Sequence, residues 1–167
     1  MRKILTAVLL AVASLTAVAN AQVVTAAQGF SVSAPVALVN QGSTSGTSDY
    51  GLPYTITKYT ATLANGDTYG VGVAVYNTEL DDATSTRAVQ KVASGSNLTI
   101  IQQMDTTVSG RPAKAAIFKN SDDSLRLIYI AVVRGAVLYQ FIMAGNPQVP
   151  LQAGESADAF FNSITLN

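Results

Sequence analysis

The stretch Leu125-Arg-Leu-Ile-Tyr-Ile-Ala-Val-Val133, Arg134-Gly135, Ala136-Val-Leu-Tyr-Gln-Phe-Ile-Met-Ala144 sets two apolar runs around one break. β-Branched and aromatic residues dominate both runs, and Gly135 offers the positive φ that a tight strand connection asks for, so the stretch reads as a hairpin. Neither arm alternates cleanly with polar residues. The pair therefore belongs at the centre of an antiparallel sheet, covered on one face and largely on the other. Together the runs approach the ~20 residues of a membrane span, but the break and the strand-type composition argue against a helix.

Working outward, Gly29 to Pro35 alternates Phe30, Val32 and Ala34 with Ser31 and Ser33 and reads as a first strand ended by proline. Residues 22–28 before it read as a polar lead. Gln41 to Asp49 contains no apolar residue and two glycines, which predicts a surface loop serving either as a solvated connection or as a binding loop. Tyr54 to Leu63 and Thr68 to Tyr76 form two strands, and Asn65-Gly66 between them predicts a type I′ turn with both central residues at positive φ. In the second strand Tyr69, Val71, Val73 and Val75 share one face, and Gly70, Gly72 and Ala74 share the other. Such small residues leave room for something bulky, either a packed helix or a ligand groove.

The period then changes. Ala88, Val89, Val92 and Ala93 make an apolar stripe after Asp82, a capping residue, and before Gly95, a stop, which predicts a helix of about three turns. Leu98 to Val108 and Ala113 to Phe118 read as strands around a Ser109-Gly110-Arg111-Pro112 turn. Asn120 to Ser124 turns the chain into the central hairpin. Gly145-Asn146-Pro147 breaks it again, and Ala157, Phe160, Phe161 and Ile164 mark a closing helix preceded by Gly154 and Glu155. The expectation is an α+β fold: a single antiparallel sheet of about six or seven strands with helices packed on its faces, an α/β/α-type sandwich.

The N-terminus carries the pattern of an export signal. Arg2 and Lys3 precede an uncharged apolar run from Ile4 to Val18, and Ala19-Asn20-Ala21 is a small-x-small cleavage site. Residues 1–21 are thus expected to be a cleaved signal peptide and 22–167 a single domain, exported to the periplasm or the medium and not inserted in the membrane. With Arg2 and Lys3 removed, eight basic residues face ten acidic ones, a net charge of −2. That balance gives no electrostatic reason to expect nucleic acid as a partner.

Cysteine, histidine and tryptophan are all absent. Without cysteine no disulfide staples the core, which must hold by burial alone. Without histidine or cysteine there is no Ser-His-Asp triad, no Cys-His pair, and none of the imidazole and thiolate ligands that usually hold zinc, copper or haem. No metal site, catalytic residue or cofactor is expected. Asp81-Asp82 and Asp122-Asp123 sit where a cap or a turn wants aspartate, although paired carboxylates also serve acid–base work or Ca²⁺. Thr55 and Lys58, three apart on a strand, face opposite sides and cannot meet.

Phe30-x-Val32-x-x-Pro35, Gly110-Arg111-Pro112-Ala113, Val137-Leu138-Tyr139 and Ala159-Phe160-Phe161-Asn162-Ser163 resemble motifs of the PsbP-like superfamily. The resemblance spans nearly the whole of residues 22–167. It implies an antiparallel sheet sandwiched by helices and used to bind other proteins without catalysis. Photosystem members of that group use histidine in part of their metal contacts; this chain has none, so neither a metal site nor a photosynthetic partner is carried over.

The functional expectation is an exported non-enzymatic binding module that contacts a protein or cell-envelope component. Arg111, Tyr50, Tyr54, Tyr59 and Asp49 are the candidate binding residues: a guanidinium beside proline can grip a carboxylate, and phenols beside the polar segment offer apolar area with a polar tip. The alternative is a carboxylate and arginine hydrolase or lyase, which requires two or more of Asp49, Asp105, Arg111 and Tyr59 to converge in a closed pocket.

Overall fold

The computed structural model describes residues 22–152 and 155–167. The predicted signal peptide, residues 1–21, lies outside the described residues, as does Gly154. Ten strands and two helices follow in chain order: β1 Val23–Ala27, β2 Phe30–Ala34, β3 Val39–Thr47, β4 Pro53–Thr62, β5 Thr68–Tyr76, α1 Ala83–Ser96, β6 Thr99–Val108, β7 Arg111–Lys119, β8 Arg126–Arg134, β9 Val137–Gly145, α2 Ala157–Asn162 and β10 Thr165–Leu166.

The strands form two sheets, one of seven in the order β3-β4-β5-β9-β8-β7-β6 and one of three in the order β1-β2-β10. The central hairpin is β8–β9, paired Arg134 to Val137, with Gly135 at φ 59° as the first of two loop residues. Both of its faces are covered. Val132, Tyr139, Phe141 and Met143 join a cluster with Phe30, Val32, Tyr69, Val71 and Phe160, while Tyr129, Ala131, Val133 and Leu138 join one with Val89, Ala116 and Phe118. This double burial is what the unbroken apolar runs demanded.

The expected α/β/α sandwich is overturned by what covers those faces. One is covered by the three-stranded sheet, with α2 contributing only six residues, and on the other α1 packs chiefly over β7 and β8. Two local readings explain the error. The polar lead is largely β1, whose Val23 to Ala27 pair with Ala34 to Phe30. The closing helix stops at Asn162, so Ile164 is buried from beyond it and the chain ends as β10 against β2.

The predicted loop over 41–49 is mostly strand. β3 runs to Thr47 as the sheet's edge, and its residues are almost all exposed. Backbone pairing to β4 holds it, together with hydroxyl contacts from Ser43 to Thr57 at 2.7 Å and from Ser45 to Thr55 at 3.2 Å. No apolar period betrays such a strand, because neither face is buried. A bulge between Asn40 and Ser43 contains Gly42 at φ 90°, whose N–H donates to Asn40 Oδ1 at 2.7 Å.

Turn chemistry is also redistributed. Asn65-Gly66 does not form the two-residue turn: only Gly66 has positive φ, and Leu63 N–H closes a longer loop onto the Asp67 carbonyl at 2.8 Å. The short turns with two positive φ values are instead Gln28-Gly29, between Ala27 and Phe30, and Ser109-Gly110, between Val108 and Arg111. In α1, Gly95 lies inside the helix and Asn97 ends it at φ 54°. Asp82 makes no capping bond with its side chain; Asp81 Oδ1 accepts from Thr84 N–H at 3.0 Å instead.

Candidate functional site

Small residues on β5 help shape a concavity beside α1. Gly70, Gly72 and Ala74 face the same side as α1, but α1 sits over β7 and β8 and leaves the β4–β5–β9 surface open beside it. There, Ile56 Cδ1 lies 3.3 Å from where a Cβ on Gly72 would stand, so a larger residue would displace the side chain that forms the floor. The result is a groove of about 450 Å³. Its volume falls within the usual range of ligand pockets.

The groove has an apolar floor and a polar rim. Ile56, Ala74 and Leu138 come from the sheet, Leu80 from the segment before α1, and Ala88 and Val92 from α1 itself. Tyr54 and Tyr76, cross-strand partners on β4 and β5, stack at a centroid distance of 5.2 Å along one wall. Burial and the neighbouring Tyr54 raise the Tyr76 phenol above its ordinary value, so the Tyr76 ring stays neutral at physiological pH. Gly46 matters here: a Cβ on it would lie 2.9 Å from the Tyr54 hydroxyl, so its absence lets that ring lie across the edge strand. Gln140, held by a 2.8 Å bond from the Tyr129 hydroxyl, sets one polar group in the lining.

The 48–52 turn reaches from the edge of the sheet to α1. Lys91 Nζ donates to both oxygens of Asp49 at 2.8 Å, and the Arg87 guanidinium stands 5.1 Å from the Tyr50 ring centroid. Within the turn, Leu52 N–H donates to Ser48 Oγ at 3.1 Å and Gly51 takes φ 76°. Arg87 also pairs with Asp81 and donates to Thr84 Oγ1 at 2.7 Å, and this guanidinium, with the Thr84 bonds, holds the Asp81 carboxyl below the usual carboxylate range. Asp49 in turn raises Lys91 above its ordinary value, keeping the ammonium charged. The rim thus carries two cations, each already facing a carboxylate.

Of the candidate residues, Asp49, Tyr50 and Tyr54 meet at this groove. Tyr59 does not. It lies five positions from Tyr54 on the same strand and so points the other way, 6% exposed and edge-on to Phe30 at 5.4 Å. The odd spacing, read against a strand, already separates the two. Arg111 opens β7 at the far side of the β6–β7 turn, exposed and without an ion pair among the described residues. Asp105 pairs with Lys114 across β6 and β7. The convergence that a hydrolase or lyase requires is therefore not formed by Asp49, Asp105, Arg111 and Tyr59.

Sequence reasoning missed Tyr76, Leu80, Arg87 and Lys91. The helical spacing of Arg87 and Lys91 placed them on one face of α1, but nothing local indicated that this face looks toward the 48–52 turn. No helix among the described residues is long and apolar enough to cross a membrane. The chain matches no family model, and no curated protein is significantly similar to it.

Proposed function

We propose that this protein is an exported, non-enzymatic binding module that holds a segment of a partner protein or a cell-envelope component in the groove between α1 and the 48–52 turn. The observation that carries the reading is the groove itself: an apolar floor over small β5 residues, walled by Tyr54 and Tyr76 and rimmed by Tyr50, Arg87 and Lys91. Tyrosine and arginine around a desolvated floor are the residue types that dominate binding hot spots. The residue content supports the absence of catalysis, since the chain has neither histidine nor cysteine and the groove's Asp49 is held by Lys91. The PsbP-like resemblance, whose members bind proteins, supports the same reading.

A groove-filling substitution tests it. Ala88→Trp places an indole in the groove from the helix side and also provides the protein's first tryptophan. Wild-type protein is expected to retain a component of the secreting cell's envelope extract, and to enhance the fluorescence of 1-anilinonaphthalene-8-sulfonate. A folded Ala88→Trp variant should do neither. Equal retention and equal enhancement by the variant overturn the proposal.

A further inference from the structure

Two acidic side chains meet out of water where the β4–β5 turn touches the segment leading into α2. Asp67 is 2% exposed and Glu155 is 7% exposed. Asn65 Nδ2 bridges them, donating to Asp67 Oδ2 at 2.7 Å and to Glu155 Oε2 at 3.0 Å, and Gln152 N–H donates to the same Glu155 oxygen at 2.8 Å. One oxygen of each carboxyl is thereby satisfied. Among the described residues Asp67 Oδ1 and Glu155 Oε1 have no partner, and neither does the hydroxyl of fully buried Tyr69 beside them.

Among the described residues no element around the pair brings a free countercharge: β8 places Arg126 opposite Gly145, but its guanidinium is paired with Asp123 at 2.8 Å. β5 brings Tyr69, whose phenol is pushed above its ordinary value by burial and by Glu155 and so stays neutral. β9 brings Gly145 and is followed by the backbone of Asn146, and α2 brings only Asp158, which is exposed. Among the described residues no lysine or arginine forms an ion pair with either carboxyl. Two unpaired negative charges at such a site repel each other and lose hydration; a proton on one of them removes the repulsion and that group's desolvation cost, and supplies the missing hydrogen-bond donor to the other.

We propose that Asp67 and Glu155 share a single proton in the folded protein, and that loss of this proton as pH rises unlatches the segment carrying α2 from the β4–β5 turn. Burial, followed by the hydrogen bond and charge of Glu155, raises the Asp67 carboxyl to about 6. The folded state then holds a proton that the unfolded chain releases at the ordinary carboxylate value of about 3.9. Stability from the contact is full below that value and is lost as pH climbs through about 6. What the latch restrains is apolar: Phe160 of α2 packs edge-on to Tyr69 at 5.0 Å, with both rings fully buried.

Amide hydrogen exchange at residues 157–162, corrected for the intrinsic pH dependence of exchange, reads the latch directly. Wild-type protection there is expected to fall by on the order of tenfold or more between about pH 5 and about pH 8. Glu155→Gln offers an amide donor to Asp67 without needing a proton, so its protection should be independent of pH; Asp67→Asn is the mirror variant and should behave alike. Equal pH dependence in wild type and both variants overturns the proposal. Carbon-13 titration of the wild-type Asp67 carboxyl gives a second readout independent of variant folding, with a step near 6 expected and an ordinary carboxylate titration overturning it. Recovery of protection at the higher pH on adding calcium chloride would make the pair a cation site and overturn the shared proton.

Discussion

Lys91 on α1 grips both carboxylate oxygens of Asp49 on the 48–52 turn at 2.8 Å, so an exposed ion pair joins the helix to the edge of the sheet 42 residues away in sequence. Both side chains are about two-thirds exposed, at 63% and 66%. Such a pair is screened by salt and adds little to global stability, but it fixes where the turn stands. Lys91→Ala should leave the unfolding midpoint nearly unchanged while amide exchange at residues 48–52 accelerates. High salt should reproduce the effect in the wild type. An unchanged exchange rate in the variant would show that the turn is held by its own hydrogen bonds.

Tyr50 and Tyr59 give opposite outcomes although both are exposed-looking phenols by sequence. Tyr59 is buried against Phe30, so Tyr59→Ala should lower stability by about 3 kcal/mol through lost burial and a residual cavity. Tyr50 is 69% exposed at the groove rim, so Tyr50→Ala should leave urea denaturation within about 0.5 kcal/mol of wild type and weaken binding to the groove. Denaturation curves paired with fluorescent-probe titration check both.

Gly145 packs directly on the latch. A Cβ there would lie 2.1 Å from Asp67 Oδ1 and 2.7 Å from its Cγ, inside van der Waals contact with a buried side chain. Gly145→Ala should cost about 1–3 kcal/mol, as overpacking does, and should disturb the contact between Asp67 and Glu155. Urea denaturation measures the cost. A variant as stable as wild type would mean that Asp67 is free to move aside.

At the end of α1, Asn97 holds φ 54° and donates its N–H to the Ala93 carbonyl. Glycine adopts that left-handed conformation without the Cβ penalty, so Asn97→Gly should be neutral or raise stability by up to about 1 kcal/mol. Asn97→Val should lower it by a similar amount or more, since a β-branched residue resists positive φ. Thermal unfolding of the two variants separates them.

The central hairpin and its double burial, the α1 segment and the place of Gly135 in the hairpin turn were legible because each rests on local periodicity or on one residue's backbone freedom. The absence of histidine and cysteine likewise fixed which chemistries are closed to this chain, since no folding can supply a missing side chain. Tertiary structure decided the rest. β3 is held by pairing to β4 and by hydroxyl contacts, neither of which leaves an apolar period. Lys91 met Asp49, and Asp67 met Glu155 across 88 residues of sequence. Contacts of that kind depend on which faces two elements turn toward each other, and that is set by how the sheets and α1 share the burial of the same hairpin.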